Sequence, residues 1–169
     1  MQVETTRFGT LEVGEEARVY FPEGLLGFGS YREYVMVPAS AAGGNGGPLV
    51  WLQSCQAPEL AFAVCRAEAI VRDYRLEVRA EDLAVTELAG PAEAAVYLII
   101  HRDRGDLVAN LRGPLVINAT RRLGSQIVIN DARVPLRHRV RPSRPVLEPT
   151  AAQPFGRDLG AERPTRRAV

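Results

Sequence analysis

His101 and His138 are the only two histidines in the chain, and a nucleophilic serine would need one of them as its base. His101 falls inside a strand-like run and His138 lies near the end of the folded part. No Gly-x-Ser-x-Gly elbow accompanies either. Cys55 and Cys65 have no metal-ligand spacing to each other or to the histidines. Each sits in an apolar stretch, where a free cysteine behaves as a small hydrophobe, so both read as buried thiols. Glu81 with Asp82, and Asp103 with Asp106, can be called carboxylate pairs. Both pairs fall in helix-start or turn-like segments, where acids cap backbone N–H groups. Gly24-Leu25-Leu26-Gly27-Phe28-Gly29 is not a dinucleotide fingerprint. The glycines of 41–48 lack the Lys-Ser/Thr that completes a phosphate loop. No catalytic set, metal set or cofactor motif emerges, and the chain reads as one that binds. Active sites can assemble from scattered residues, so an unseen small-ligand barrel stays open as an alternative.

The elements that must carry any binding surface are mostly strands. Thr10–Val13, Ala17–Phe21, Tyr34–Val37, Leu49–Leu52 and Leu60–Val64 are rich in β-forming residues. Tyr74–Val78, Ala95–Ile100, Leu115–Asn118 and Gln126–Ile129 follow. Short strands at close spacing predict a mostly all-β fold, a small antiparallel barrel or sandwich. Recurrent helices between strands are missing, which excludes a βαβ pattern. Two short helices are expected. One is capped by Ser30, with Glu33 three residues on as in a capping box. The other spans Ala80–Ala84, with acids in its first turn. Arg104-Gly105-Asp106 and Leu123-Gly124 read as hairpin turns. Residues 41–48 read as a flexible glycine-rich insertion.

The 169 residues are 46% hydrophobic and 24% charged, an ordinary globular balance. The domain is expected over 1–140. Beyond it, 141–169 is an Arg/Pro-rich tail, poor in aromatic and β-branched residues and expected to be disordered. All 21 basic residues are arginine. Residues 1–140 hold 15 Arg against 17 acids, and 141–169 hold 6 Arg against 3. A mildly acidic domain is a poor nucleic-acid binder and suits a basic protein better. The tail lacks aromatic interleaving, which makes direct RNA binding a weak reading. The N-terminus has neither a basic start nor an apolar run, and no membrane-spanning stretch appears, so a cytoplasmic location is expected.

Four stretches carry the pattern further. They are Phe21-Pro22-Glu23-Gly24-Leu25-Leu26-Gly27-Phe28, Trp51–Phe62, Ala109–Asn118 and Gly124–Asp131. Pro22, Gly24, Gly27, Pro58 and Pro114 suit turns, and Phe28 can fold back on the core. Trp51 and Gln53 should share one strand face. Together with the opening Thr6-Arg7-Phe8-Gly9, these stretches resemble the bacterial flagellar assembly factor family, FliW, from about residue 5 to His138. The 41–48 loop and the tail depart from the family pattern.

The resemblance implies a compact antiparallel β-barrel acting as a monomer when free, with no cofactor and no membrane or direct nucleic-acid role. It implies two alternative partners, the carbon storage regulator CsrA and flagellin. In this family, secretion of flagellin frees the factor to bind the regulator and relieve its repression of flagellin translation. A flagellin-specific export chaperone without regulator binding is the alternative. Phe8, Phe21, Trp51, Leu60 and Phe62 read as core, and Gly9 as turn geometry. The polar motif members Glu23, Gln53, Asn110, Asn118, Gln126 and Asp131 are candidate partner contacts or loop anchors. Asn110 and Asn118 can tie the ends of one strand to nearby backbone. Glu12, Glu15, Glu16, Glu81 and Asp82 are candidate contacts for a basic partner.

Overall fold

The computed structural model describes residues 1–40, 47–76 and 79–140, with only the backbone of Asp82, Leu83 and Pro91. The expected disorder of 141–169 and most of the glycine-rich loop therefore lie outside the described residues. The strands are β1 Gln2–Thr5, β2 Gly9–Glu12, β3 Arg18–Tyr20, β4 Glu33–Pro38, β5 Leu49–Ser54 and β6 Ala61–Arg66. They continue with β7 Ala94–Asp103, β8 Asp106–Ala109, β9 Leu115–Asn118, β10 Leu123–Gln126 and β11 His138–Arg139. The helices are α1 Ala67–Ile70 and α2 Ala80–Thr86. Among the described residues no helix is long and apolar enough to cross a membrane.

Seven strands close into a barrel in the order β7-β6-β5-β4-β3-β10-β9, with β9 returning to β7. An odd ring cannot alternate direction all the way round, so one neighbouring pair must be parallel. That pair is β3 with β10, joined at Tyr20 and Leu123. The other pairings are antiparallel. The interior is filled by Val19, Phe21, Tyr34, Met36, Leu52, Val64, Tyr97, Leu115 and Ile117. Each fully buried large apolar side chain contributes ~1.5–3 kcal/mol.

Alternation along the strands leaves a second apolar face outside the ring, and separate pieces cover it. The β1–β2 ribbon packs Val3 and Val13 over Val35 and Val37 of β4, beside Trp51. The α1 segment, β8 and Leu111 cover Cys65, Leu98 and Ile100. Leu88, just past α2, packs with Val116 and Ile127. β7 is long enough to serve two partners on one edge. Its first half pairs with β9 and its second with β8. Residues 110–114 therefore leave the sheet as a bulge between β8 and β9.

Several expectations are corrected. Ser30 caps no helix, because Glu33 opens β4 and the run Tyr34–Val37 is drawn into the barrel, with all four residues buried. Residues 74–76 of the expected Tyr74–Val78 strand are not paired, and 77–78 lie outside the described residues. Leu123 and Gly124 are strand, not turn. The turn falls at 119–122, where Arg122 takes φ +60°. The β10 ladder ends at Gln126, and 127–129 continue beside the bulge, with the amides of Ile127 and Ile129 donating to Pro114 and Arg112 carbonyls. The short elements β1, β8, β11 and α1 were not expected at all. The Arg104-Gly105 hairpin and the helix at 80 are as expected.

Candidate protein-binding end of the barrel

Strand direction sorts the loops into two ends. One end collects residues 22–32 between β3 and β4, the 55–60 turn between β5 and β6, the 110–114 bulge, and the chain leaving β10. Each of the four motif stretches of the sequence contributes a segment to this end.

The 22–32 loop begins where Phe21 is fixed inside the barrel, fully buried and edge-on to Tyr34 at 5.5 Å. Gly24 takes φ +68°, and a Cβ there would stand 2.6 Å from the Gly29 Cα, so the loop crosses itself only because this residue is glycine. Leu25 turns inward and is buried, Leu26 turns outward at 59% exposure, and Phe28 folds back edge-on to Phe62 at 5.2 Å. Glu23 is exposed.

The loops are tied to each other by side-chain amides. Gln126 Oε1 accepts the Leu26 amide at 2.8 Å, while its Nε2 donates to the Gly113 carbonyl at 3.3 Å. One glutamine thus joins the first loop to the bulge. Inside the bulge, Asn110 Oδ1 accepts the Arg112 amide, and the Arg112 guanidinium donates to the Val134 and Ala132 carbonyls. Asp131 turns the following segment by accepting the Arg133 amide and pairing with its guanidinium. This holds its carboxyl well below the usual range, at about 2.

The 55–60 turn is organised from within. Gln53 is fully buried, and its Nε2 lies 3.0–3.3 Å from the carbonyls of Ser54, Ala57, Pro58 and Leu60. Ser54 Oγ accepts the Gln56 and Ala57 amides, and Gln56 Oε1 reaches the Arg32 and Glu33 amides. The Thr6 amide donates to the Pro58 carbonyl, so the ribbon is pinned to the same turn. Above it Phe8 stacks on Trp51 at 5.6 Å with the Arg7 guanidinium over the indole.

The candidate contacts therefore divide. Glu23, Asn110, Gln126 and Asp131 meet at the motif end. Gln53 (0% exposed) and Asn118 (5% exposed) have almost no surface to offer in the free protein and act as internal anchors. Asn118 donates to the Thr86 and Glu87 carbonyls, fixing the end of α2, and accepts the Thr120 and Arg121 amides. Glu12 and Glu16 lie toward the opposite end, whereas Glu15 pairs with Arg18 at 2.7 Å and the same guanidinium reaches Glu33, at the start of β4, at 3.3 Å. Glu81 is in α2, 3.8 Å from Arg79, and the side chain of Asp82 is outside the described residues. Among the core assignments, Phe21 is buried, while Leu60 and Phe62 are partly buried against the barrel core. Pro22 and Pro114 stand at the loop ends. Gly9 and Gly27 both take positive φ.

Three residues at the motif end were not singled out by sequence. Leu26 and Val128 are exposed at 59% and 56%, and Arg112 braces the bulge. Leu26 carried a signal, since of two leucines between glycines in a tight turn only one can face inward.

A closed seven-stranded barrel whose loops are tied together at one end, beside two exposed aliphatic side chains, places the chain among small β-barrel proteins. The family model described as FliW protein matches residues 2–140. The chain is 38% identical to the flagellar assembly factor FliW of Geotalea uraniireducens over 140 residues, covering 82% of this chain and 83% of the relative. It is 35% identical to the same factor of Magnetococcus marinus over 134 residues, covering 78% and 80%. A crystal structure of a flagellar assembly factor FliW superposes with TM-score 0.74 at 27% identity, covering 85% of this chain and 99% of that one. The chain belongs to the FliW family of flagellar assembly factors.

Proposed function

We propose that this flagellar assembly factor acts in the cytoplasm, as a monomer when free, by binding two alternative protein partners. One is the regulator CsrA, whose repression of flagellin translation it relieves, and the other is flagellin, which competes for it. The observation that carries this reading is the convergence of segments from all four motif stretches on one end, tied together by side-chain amides. Leu26 and Val128 stand exposed there at 59% and 56%, although closing the barrel does not require it. Glu23, Gln126, Asn110 and Asp131 border that end and are the proposed contacts there. Glu12, Glu15, Glu16, Glu81 and Asp82 form a separate acidic set suited to steering a basic partner. The chain works by binding and needs no cofactor.

Calorimetric titration against the CsrA homologue of the same bacterium, with and without flagellin, tests the proposal. Heat with CsrA that flagellin abolishes is the expected result. Binding to flagellin alone would replace it with an export chaperone, and a folded sample that binds neither would overturn it.

A further inference from the structure

We infer that the patch formed by Leu26 and Val128, on either side of Gln126 and next to Glu23, is the docking point for an apolar, cation-bearing segment of the basic partner. The inference rests on the protein-binding reading above and assigns a surface and a chemistry to it.

The patch is apolar and built. Leu26 and Val128 are among the most exposed large aliphatics of the described residues, and they lie on neighbouring segments joined by the Leu26 amide to Gln126 bond. Both atoms of the Gln126 amide are engaged, one with Leu26 and one with Gly113. The glutamine fixes the position of the Leu26 loop against the Val128 segment. Phe28 locked on Phe62 and the closed Gly24–Gly29 crossing hold the loop from behind. A preformed apolar site of this kind loses little ordering entropy on binding.

Charge selects the occupant. The 22–33 and 54–60 segments carry Glu23, Glu33 and Glu59 against one cation, Arg32. Glu33 is committed to Arg18 at 3.3 Å. Glu23 and Glu59 are exposed and have no ion-pair partner among the described residues. The cation of the bulge, Arg112, is turned onto the Val134 and Ala132 carbonyls. An apolar patch with the exposed Glu23 on the same loop fits aliphatic side chains flanked by Lys or Arg, and disfavours an acidic partner or a second copy of the same loop.

The test uses the full chain. Leu26→Ser/Val128→Ser and, separately, Glu23→Arg are titrated against the CsrA homologue and against flagellin at about 50 and 300 mM salt, a span across which screening changes strongly. All three positions are exposed, and circular dichroism with thermal melting checks the fold. The double variant is expected to weaken CsrA binding by about tenfold or more at both salts. Glu23→Arg is expected to weaken it several-fold at low salt, with the effect fading at high salt. Unchanged CsrA affinity in folded variants, while wild type binds, would overturn the surface and leave the function intact. Wild type binding neither protein would overturn the function, and the surface with it. Self-association of wild type that the double variant abolishes would reassign the patch to a homodimer and overturn the inference.

Discussion

Gly124 sits where the barrel wall passes the Phe21 ring. A Cβ there would lie 2.5 Å from Phe21 Cε1 and 2.6 Å from Cζ, and that ring is fully buried in the core and cannot retreat. Gly124→Ala should therefore lower stability by about 1–3 kcal/mol, as overpacking does. Urea denaturation measures this, and an unchanged midpoint would mean that the strand can shift outward. Tyr34 makes the opposite case. Its hydroxyl is buried with no hydrogen-bond partner among the described residues, and burial pushes its pKa up to about 12. Tyr34→Phe removes an unsatisfied polar atom and keeps the ring, so it should be at least as stable as wild type. The neutral phenol and the Cys65 thiol, raised to about 11 by burial, also set an alkaline limit. Both groups are acids whose folded pKa lies above the unfolded value. Their share of stability is complete below about pH 9 and is lost as the pH climbs toward 11–12. Asp131 acts in the other direction. Its depressed carboxyl supports the 131–133 turn above about pH 4 and stops doing so as the pH falls toward 2, a dependence that Asp131→Asn should remove. Carboxyl titration followed by NMR would show it, and a pKa near the ordinary value would contradict the Arg133 pairing.

At the level of elements, the outer coverings of the barrel are held by few, specific ties. Asn118 is the tie for α2, satisfying two carbonyls and two amides in a buried position. Asn118→Ala leaves these groups unpaired and should cost about 2–3 kcal/mol, with faster amide exchange in Thr120 and Arg121. Exchange rates equal to wild type would mean that water replaces the side chain without loss. The strands were legible in the sequence where β-branched and aromatic residues run together, as in Tyr34–Val37 and Leu115–Asn118. They were not legible where pairing alone defines them. β11 is two residues long, and β8 is an extension of β9 interrupted by the bulge. Ser30 to Glu33 satisfied the capping-box pattern and still formed no helix, because a local cap is outweighed by burial of the strand that follows. The site was legible in part. The motif stretches and Gln126, Asn110 and Glu23 were visible in the sequence. That Gln53 is buried beneath the 55–60 turn and Leu26 faces outward follows from the turn geometry of 22–32 and 54–60, which spacing does not encode.

Across the whole molecule, acids stand both beside the exposed aliphatics and away from them. Glu23 shares a loop with Leu26 at the motif end, whereas Glu12 and Glu16 lie toward the other. Charges distant from a contact patch change approach more than hold. Reversing Glu12 and Glu16 to Arg should slow association with a basic partner at low salt and leave dissociation nearly unchanged. Stopped-flow or surface-plasmon kinetics would separate the two rates, and a faster dissociation would place these acids inside the interface. Cutting the chain after Val140, where the family match ends, should leave the melting temperature of the barrel within a few degrees of the full chain.

The parallel seam between β3 and β10 bears on how the chain reaches this structure. Tyr20 meets Leu123 only after about a hundred intervening residues have been made, and the Leu26–Gln126 tie spans the same gap. During synthesis the meander from β3 through β6 can pair strand by strand as it leaves the ribosome, yet the outer edge of β3 stays open until the last quarter of the chain appears. Closing so long a loop is entropically slow, and an open edge is a template for pairing with another chain. The binding end therefore matures last. A nascent chain, or one cut before β10, is expected to be aggregation-prone before it is competent, and competence arrives in one late step when the ring closes.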